Sequence, residues 1–169
     1  VKEAWHPARL PSFLFFCEEL LYLHLRVRVC VRANLLWNDI KYNDIMKKVI
    51  ATVDAPKAVG PYSQAIEVNG TLYISGQIPV NPADGQIQDE ITAAAHQSLK
   101  NIGAILKEAG MTYDNVVKTT VLLADIADFK AVNEVYAEYF TGDKPARACY
   151  QAAALPLGVK VEIEAIAVR

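Results

Sequence analysis

The sequence predicts an α+β domain of two layers, in which two helices cover one face of a mostly antiparallel or mixed sheet. Three observations support this prediction. Asn69-Gly70 lies between two β-rich runs, which is the strongest short-range signal for a hairpin. Apolar residues repeat at helical spacing in two later segments. Residues 159–168 alternate at first between apolar and charged, and this period of two is typical of a half-buried strand.

The predicted elements follow one another in the order β-β-β-α-β-α-β-β. Strands are predicted at residues 48–53, 63–68, 71–75, 116–123, 146–152 and 159–168. A first helix is predicted at residues 89–109, with Asp89 as its N-cap and Gly110 as its stop. A second helix is predicted from Asp125 to about residue 140, and its aromatic residues, Phe129 included, are assigned to the core. Because the helices cover only one face of the sheet, we expect the other face to be buried in an oligomer.

Residues 1–45 differ in composition from the rest of the chain. They contain both Trp, two of the three Cys and four of the six Arg. No apolar run in them approaches the roughly 20 residues of a membrane span, and their acidic residues count against a transit peptide. We interpret them as an extension outside the fold, with the domain spanning residues 46–169. The alternative is a genuine helix that packs on the domain or on a partner.

Composition and charge narrow the function classes. The chain has 169 residues and a formal net charge of −2, and residues 46–169 carry 11 Lys and Arg against 14 Asp and Glu. We therefore expect neither a dedicated nucleic-acid surface nor membrane association. The scattered Cys and His have no zinc-ligand spacing, and free thiols are typical of a reducing, cytoplasmic compartment. The sequence contains no Gly-rich dinucleotide motif and no P-loop.

The candidate chemistry lies in residues 145–164. Leu155-Pro156-Leu157-Gly158 predicts a turn, and the strands on either side are predicted to pair as a hairpin. In that hairpin Arg147 and Cys149 share a face, and Glu162 falls roughly opposite Cys149. Arg offers a planar fork that matches a carboxylate, and a Glu can hold or activate a water. The combination indicates a pocket for a small carboxylic acid, and the alternative is an Arg–Glu cross-strand pair on a solvated face.

Four short motifs occur in order along the same part of the chain. They are Gly60-Pro61-Tyr62-Ser63-Gln64-Ala65, Ser75-Gly76-Gln77-Ile78-Pro79, Pro145-Ala146-Arg147-Ala148-Cys149 and Val161-Glu162-Ile163-Glu164-Ala165-Ile166-Ala167. With these motifs, residues 46–169 resemble the Rid family of reactive intermediate deaminases, also called the YjgF family, and within it the RidA subgroup. The resemblance implies a chorismate-mutase-like fold and a homotrimer with active sites between subunits. It also implies hydrolysis of 2-imino acids and their enamine tautomers to 2-keto acids and ammonia, without a cofactor or a metal.

The resemblance also implies roles for individual residues. Arg147 is expected to grip the substrate carboxylate, and Glu162 is expected to position the attacking water. The further substrate-binding positions that it implies are Tyr62, Ser75, Gly76, Asn133 and Cys149. Cys149 is expected to form part of the pocket wall rather than act as a nucleophile, because no His lies near it in the sequence. For Asn133 the ordinary alternative is a solvent-facing side chain.

Two other functions remain as alternatives. Some members of the family carry labels such as translation inhibitor or endoribonuclease. The acidic balance of residues 46–169 disfavours an RNA-directed role, because RNA binding relies on neutralising phosphates. The other alternative is a non-catalytic module that binds small acids or acts like a chaperone through the same pocket or through exposed apolar surface.

Overall fold

The computed structural model describes residues 46–169, so the interpretation of residues 1–45 as an extension lies outside the described residues. This part of the chain forms one six-stranded sheet, two α-helices and three short 3₁₀ turns, and the strands and α-helices follow the predicted order. The strands are β1 Lys48–Ile50, β2 Ala65–Val68, β3 Thr71–Gln77, β4 Val116–Leu123, β5 Ala146–Gln151 and β6 Val161–Val168, and the helices are α1 Ile91–Glu108 and α2 Phe129–Tyr139. The predicted α+β class is confirmed. Within residues 46–169 no helix is both long and apolar enough to cross a membrane.

The predicted hairpin at Asn69-Gly70 is confirmed. β2 and β3 pair antiparallel up to the turn, where Val68 faces Thr71. Asn69 and Gly70 have φ angles of 50° and 76°, which is the left-handed conformation that a two-residue type I′ turn requires at both positions. β1 pairs with the outer edge of β2 and ends at Ile50, three residues earlier than predicted.

The prediction that the last two strands pair as a hairpin is wrong. The strand order is β1-β2-β3-β6-β4-β5, so β4 lies between β5 and β6. β5 runs parallel to β4, whereas β6 is antiparallel to both β3 and β4. Cys149 therefore lies beside Val121, and Glu162 lies beside Leu122 instead of opposite Cys149. The physical reason is that β4, an apolar and largely buried strand, gains more from a central position than from an edge.

α1 begins two residues later and ends one residue earlier than the predicted 89–109. Its N-cap is Glu90, whose carboxylate accepts a hydrogen bond from the Ala93 N–H at 2.7 Å, so the assignment of Asp89 as the cap is wrong. Both residues are acidic, and only the backbone conformation decides which of them caps. At the other end Gly110 has a φ of 70°, and the Met111 N–H donates to the Leu106 carbonyl, as in a Schellman motif.

α2 also begins later than predicted. Asp125 caps a short 3₁₀ turn, Ile126–Asp128, and the α-helix starts only at Phe129. Val132, Val135 and Tyr136 are buried, as expected for the core stripe. The Phe129 side chain is 39% exposed, so its assignment to the core is wrong. Its position at the very start of the helix places it beyond the edge of the core.

The core lies between the helices and one face of the sheet. Val161, Ile163 and Ala165 of β6 are at most 2% exposed and pack in the same cluster as the buried residues of both helices. Glu162 and Glu164 alternate with them and point to the other side. We call these two sides the helix face and the open face. A groove of about 280 Å³ crosses the open face, lined among others by Tyr73, Lys118, Thr120, Glu164 and Ile166.

Candidate functional site

Strand register places Arg147 and Cys149 on the helix face. Arg147 pairs with Thr119 and Cys149 pairs with Val121, and residues paired on adjacent strands point to the same side. Val121 is fully buried in the core. The Thr119 Oγ1 lies 2.7 Å from the Tyr136 hydroxyl of α2, so this side of β4 and β5 faces the helices.

The Arg147 guanidinium lies against two aromatic rings. Its Cζ is 4.7 Å from the ring centroid of Tyr136 and 5.5 Å from that of Phe129. The one ion pair found in residues 46–169 joins Arg169 to Glu67, so no carboxylate of this part of the chain pairs with Arg147. Within the described part of the chain its N–H donors are therefore open to an anionic ligand.

Asn133 and Cys149 lie on the same side of the sheet as Arg147. Asn133 is half-buried and follows Phe129 by four residues on α2, which places it on the helical stripe that carries the rings. Cys149 is also half-buried. Burial raises the pKa of the Cys149 thiol, against a smaller opposing effect of Arg147. The thiol therefore stays protonated near neutral pH, which agrees with the expectation that Cys149 forms pocket wall.

Glu162 lies on the open face, in contact with Gly76. A Cβ placed on Gly76 would overlap the Glu162 carboxylate and approach its Cδ to 2.7 Å. The register between β3 and β6 shifts between Ile74 and Gln77, and this irregularity includes Gly76. Gly in a strand often marks a site of close approach, and here the approaching group is a carboxylate of the neighbouring strand.

The surroundings of Glu162 favour its protonated form. Burial raises the pKa of the Glu162 carboxyl, and the negative charge of Glu164 raises it further. Both side chains point to the open face because they are two residues apart on β6. An ionised carboxylate with a raised pKa is a stronger proton acceptor than an ordinary Glu, as a general base requires.

Ser75 and Tyr62 lie near the Gly76 bulge. The Ser75 hydroxyl donates a hydrogen bond of 2.7 Å to the Ser63 carbonyl, and Ser75 lines the open-face groove. Tyr62 is 47% exposed, and its hydroxyl accepts a hydrogen bond from the Val59 N–H at 3.2 Å. Tyr62 and Gly76 both border a cavity of about 430 Å³ between the loop at residues 52–64 and the loop at residues 78–87.

The loop that carries Tyr62 is held in place by the buried side chain of Gln64. The Gln64 Nε2 donates to the carbonyls of Ala55 and Pro56 at 3.2 and 2.8 Å, and its Oε1 accepts from the Thr52 N–H at 2.7 Å. This loop has little regular secondary structure, so these hydrogen bonds satisfy backbone groups that strands would otherwise pair. The position of Tyr62 is therefore defined before any ligand binds.

The predicted site residues form two groups instead of one. The helix-face group contains Arg147, Asn133 and Cys149, and the open-face group contains Glu162, Gly76, Ser75 and Tyr62. The prediction that Arg147, Cys149 and Glu162 meet on one patch is wrong for a single chain, because the sheet itself separates the two groups. Within one chain the two groups therefore lie on opposite sides of the sheet.

Sequence reasoning missed the two rings beside Arg147. Phe129 and Tyr136 were assigned to the core because aromatic residues at helical spacing usually pack there. Their spacing of seven residues places them on one stripe of α2, and this spacing is the signal in the sequence that links the two rings. That Arg147 lies across this stripe follows only from the parallel pairing of β4 with β5. In residues 46–169 no cluster of three or more His, Cys, Asp or Glu is placed to hold a metal ion.

A family model and several named proteins match this chain in sequence. A family model described as Endoribonuclease L-PSP matches residues 52–169. A Mus musculus protein named 2-iminobutanoate/2-iminopropanoate deaminase is 58% identical over 128 residues, which cover 75% of this chain and 95% of that protein. An Escherichia coli protein of the same name is 48% identical over 127 residues, which cover 73% of this chain and 99% of that protein.

Several solved structures also match the chain. The crystal structure of E. coli TdcF with bound serine matches with a TM-score of 0.71 at 44% identity, covering 72% of this chain and 98% of that one. A Yersinia pestis protein, described as a member of the conserved Rid protein family, matches with a TM-score of 0.71 at 50% identity and covers 73% of this chain and 99% of that one.

Proposed function

Because the chain belongs to the Endoribonuclease L-PSP family, also known as the YjgF/Rid family, we propose that it hydrolyses reactive 2-imino acids and their enamine tautomers to 2-keto acids and ammonia. Substrates of this class include 2-iminopropanoate and 2-iminobutanoate, after which the relatives from mouse and E. coli are named. The structural observation that carries the proposal is the exposed Arg147 guanidinium, which rests on aromatic rings and pairs with no carboxylate of residues 46–169. Such a group is suited to a small anionic substrate.

We further propose that the active site forms between copies of the chain in a homotrimer. The helix-face group of one copy and the open-face group of the next would then surround one substrate. The separation of Arg147 from Glu162 by the sheet supports this arrangement, as does the open face with its groove and its exposed Tyr73. Residues 46–169 are the proposed deaminase domain, outside which residues 1–45 lie. A cytoplasmic location, inferred from the scattered Cys, also belongs to this proposal.

In the proposed complex Arg147 holds the substrate by its carboxylate through two parallel N–H···O hydrogen bonds. Asn133 and Cys149 line the same side. TdcF, one of the structural relatives, was solved with bound serine, a small molecule that carries a carboxylate and an adjacent nitrogen. A 2-imino acid has the same two groups in the same relation. Tyr62, Ser75 and Gly76 of the neighbouring copy are proposed to line the opposite side.

Glu162 of the neighbouring copy is proposed to position and deprotonate the attacking water. The oxygen of that water bonds to C2 of the protonated imine, while the electron pair of the C=N π bond moves to nitrogen and one proton moves to Glu162. That proton then passes to the nitrogen. The C–N bond breaks as the C=O bond forms, the remaining hydroxyl proton moves to Glu162 and from there to solvent, and ammonia leaves with the bonding pair. General-base assistance of this kind is worth about 10²–10⁴-fold in rate.

An RNA-directed activity is the second candidate, and names within the family favour it. One structural relative, from Thermotoga maritima, is described as a putative endoribonuclease, and another, from Vibrio vulnificus, as a putative translation initiation inhibitor. The excess of acidic residues in residues 46–169 disfavours this activity. An RNA affinity that falls steeply with salt would support it.

The test follows the decay of 2-iminopropanoate that a dehydratase produces in place. We expect wild type to accelerate the decay and Arg147→Ala to leave it at the background rate. Arg169→Ala is the matched control, because it removes an Arg that is already paired, with Glu67, and it should retain full activity. Acceleration by Arg147→Ala would rule out the carboxylate role of Arg147. No acceleration by wild type would favour the non-catalytic acid-binding or chaperone-like module.

A further inference from the structure

We propose that Phe129 and Tyr136 are positioning residues, whose rings hold the Arg147 guanidinium in the orientation that receives the substrate carboxylate. The inference rests on the proposed function, because it assumes that Arg147 binds a carboxylate. It adds two residues that act on the substrate through Arg147. It also explains how a long, flexible cation stays in place without an acidic partner in residues 46–169.

The geometry of the rings carries the inference. The Arg147 Cζ lies 4.7 Å from the Tyr136 centroid and 5.5 Å from the Phe129 centroid, both within the range of a cation–π contact. The electron-rich face of a ring attracts the flat face of the guanidinium. The N–H donors lie in the guanidinium plane, so this contact leaves them free. A carboxylate partner would instead occupy the donors that the substrate needs.

Tyr136 is itself held firmly. Its side chain is only 6% exposed, its hydroxyl lies 2.7 Å from the Thr119 Oγ1, and its ring packs at 4.4 Å from that of Phe140. Thr119 is also the residue that pairs with Arg147 in the sheet. The strand that carries the guanidinium and the ring beneath it are therefore tied to the same point of β4. This arrangement fixes the distance between them before substrate arrives.

Phe129 has the opposite character. It is 39% exposed and lies at the first turn of α2, where an apolar ring gains little from core packing. Its ring is nevertheless within cation–π distance of the guanidinium. A site that is ordered in advance loses less side-chain entropy on binding, and this is the gain that we assign to the pair of rings.

The first experiment changes Phe129, because an exposed ring can be removed with little risk to folding. In Phe129→Leu we expect the KM for 2-iminopropanoate to rise about two- to fivefold, the range of one exposed cation–π contact, with kcat unchanged. Phe129→Tyr keeps an aromatic face and should restore the wild-type KM. Ile126→Ala is the matched control, since it removes exposed apolar surface three residues earlier without removing a ring, and it should leave KM unchanged.

The second experiment changes the buried ring. Tyr136→Phe keeps the aromatic face and loses only the hydrogen bond to Thr119, so its KM should stay near the wild-type value. Tyr136→Leu should raise KM up to about 30-fold, the limit for a desolvated contact. Calorimetric titration with 2-oxobutanoate provides a readout without turnover, and its Kd should rise in the same variants by the same factors. Should Tyr136→Leu fail to fold, the Phe129 series decides alone.

The outcomes separate the two proposals. An active wild type, an inactive Arg147→Ala and a Phe129→Leu with unchanged KM and Kd would overturn the positioning role and keep the proposed function. If Phe129→Leu lowers kcat without raising KM, the positioning role is also overturned, because that pattern indicates an effect on the chemical step. A wild type that neither hydrolyses 2-iminopropanoate nor binds 2-oxobutanoate would overturn both.

Discussion

The two faces of the sheet carry the candidate residues in opposite electrostatic settings. On the helix face the cation Arg147 lies on aromatic rings with no acidic partner among residues 46–169. On the open face the carboxylate Glu162 lies near a second carboxylate, Glu164. No Lys, Arg or His of residues 46–169 forms an ion pair with Glu162. Each of the two groups of candidate residues therefore lacks the charge that the other group has. In the proposed homotrimer such complementary groups would favour a fixed orientation of the copies, and an anionic substrate would balance the charge of Arg147.

The largest effect is expected when the native Arg147 and the native Glu162 are supplied by different chains. Arg147→Ala and Glu162→Gln should each lose most of the activity, by about 10²-fold or more. If the site forms between copies, subunit exchange between the two inactive variants recreates intact sites. In a cyclic trimer mixed at equal amounts, about a quarter of the sites should contain both native residues. The measurement is the recovery of 2-iminopropanoate hydrolysis after mixing.

The control for this experiment is the double variant Arg147→Ala/Glu162→Gln mixed with wild type. It yields the same fraction of intact sites, so the two mixtures should have equal activity once exchange is complete. If the complementary single variants stay inactive while this control is active, the two residues do not belong to one shared site.

A smaller effect is expected from the contact between Gly76 and Glu162. In Gly76→Ala the added Cβ forces the Glu162 side chain to rotate, because its Cδ would otherwise lie 2.7 Å away. The end of this side chain is flexible, so the thermal stability should change little. The activity should fall by about 10–100-fold, because the proposed general base is displaced by about 1 Å or more.

Gly142→Ala serves as the control for the Gly76 variant. Its added Cβ would come no closer than 3.8 Å to Asp114, which is an ordinary contact, so both stability and activity should be retained. A Gly76→Ala protein with wild-type turnover would show that the orientation of Glu162 does not matter for the reaction.

The smallest expected effect concerns pH and the open face alone. Because burial and Glu164 raise the pKa of Glu162 above its usual 4.5, kcat/KM should fall as the pH drops through that raised value. Glu164→Gln removes the lesser of the two causes, so the acid limb of the kcat/KM profile should move to lower pH. If the acid limb of the kcat/KM profile lies at the same pH in Glu164→Gln as in wild type, the titrating group is not Glu162.

The same shift gives a stability effect of defined sign. The folded state holds the Glu162 proton more tightly than the unfolded state does, since its pKa is raised. The stabilising contribution is therefore present below pH 4.5 and is lost as the pH rises through the folded-state pKa. Glu162→Gln should abolish this part of the pH dependence in thermal melts, and a variant with the wild-type profile would contradict it.

Local signals in the sequence predicted most of the elements. The Asn69-Gly70 turn, the helix stop at Gly110 and the bounds of β4 depend on residues close together in the chain, and all three predictions are confirmed. The sequence also indicated the residue types of the candidate site, because the chemistry of an Arg or a Glu side chain is known before the fold is. Element boundaries at Asp89 and Asp125 were less accurate, since a cap is defined by backbone angles that several neighbouring residues can adopt.

Only the tertiary structure decided which residues meet. Turn chemistry at residues 155–158 is compatible with a hairpin, and nothing local indicates that β4 enters between the two strands. Strand order is set by how well the whole sheet buries its apolar strands, which is a property of all six strands together. In that order Arg147 and Glu162 lie on opposite faces and the rings of α2 reach the guanidinium, which is why we propose that a site with both residues includes a second copy of the chain.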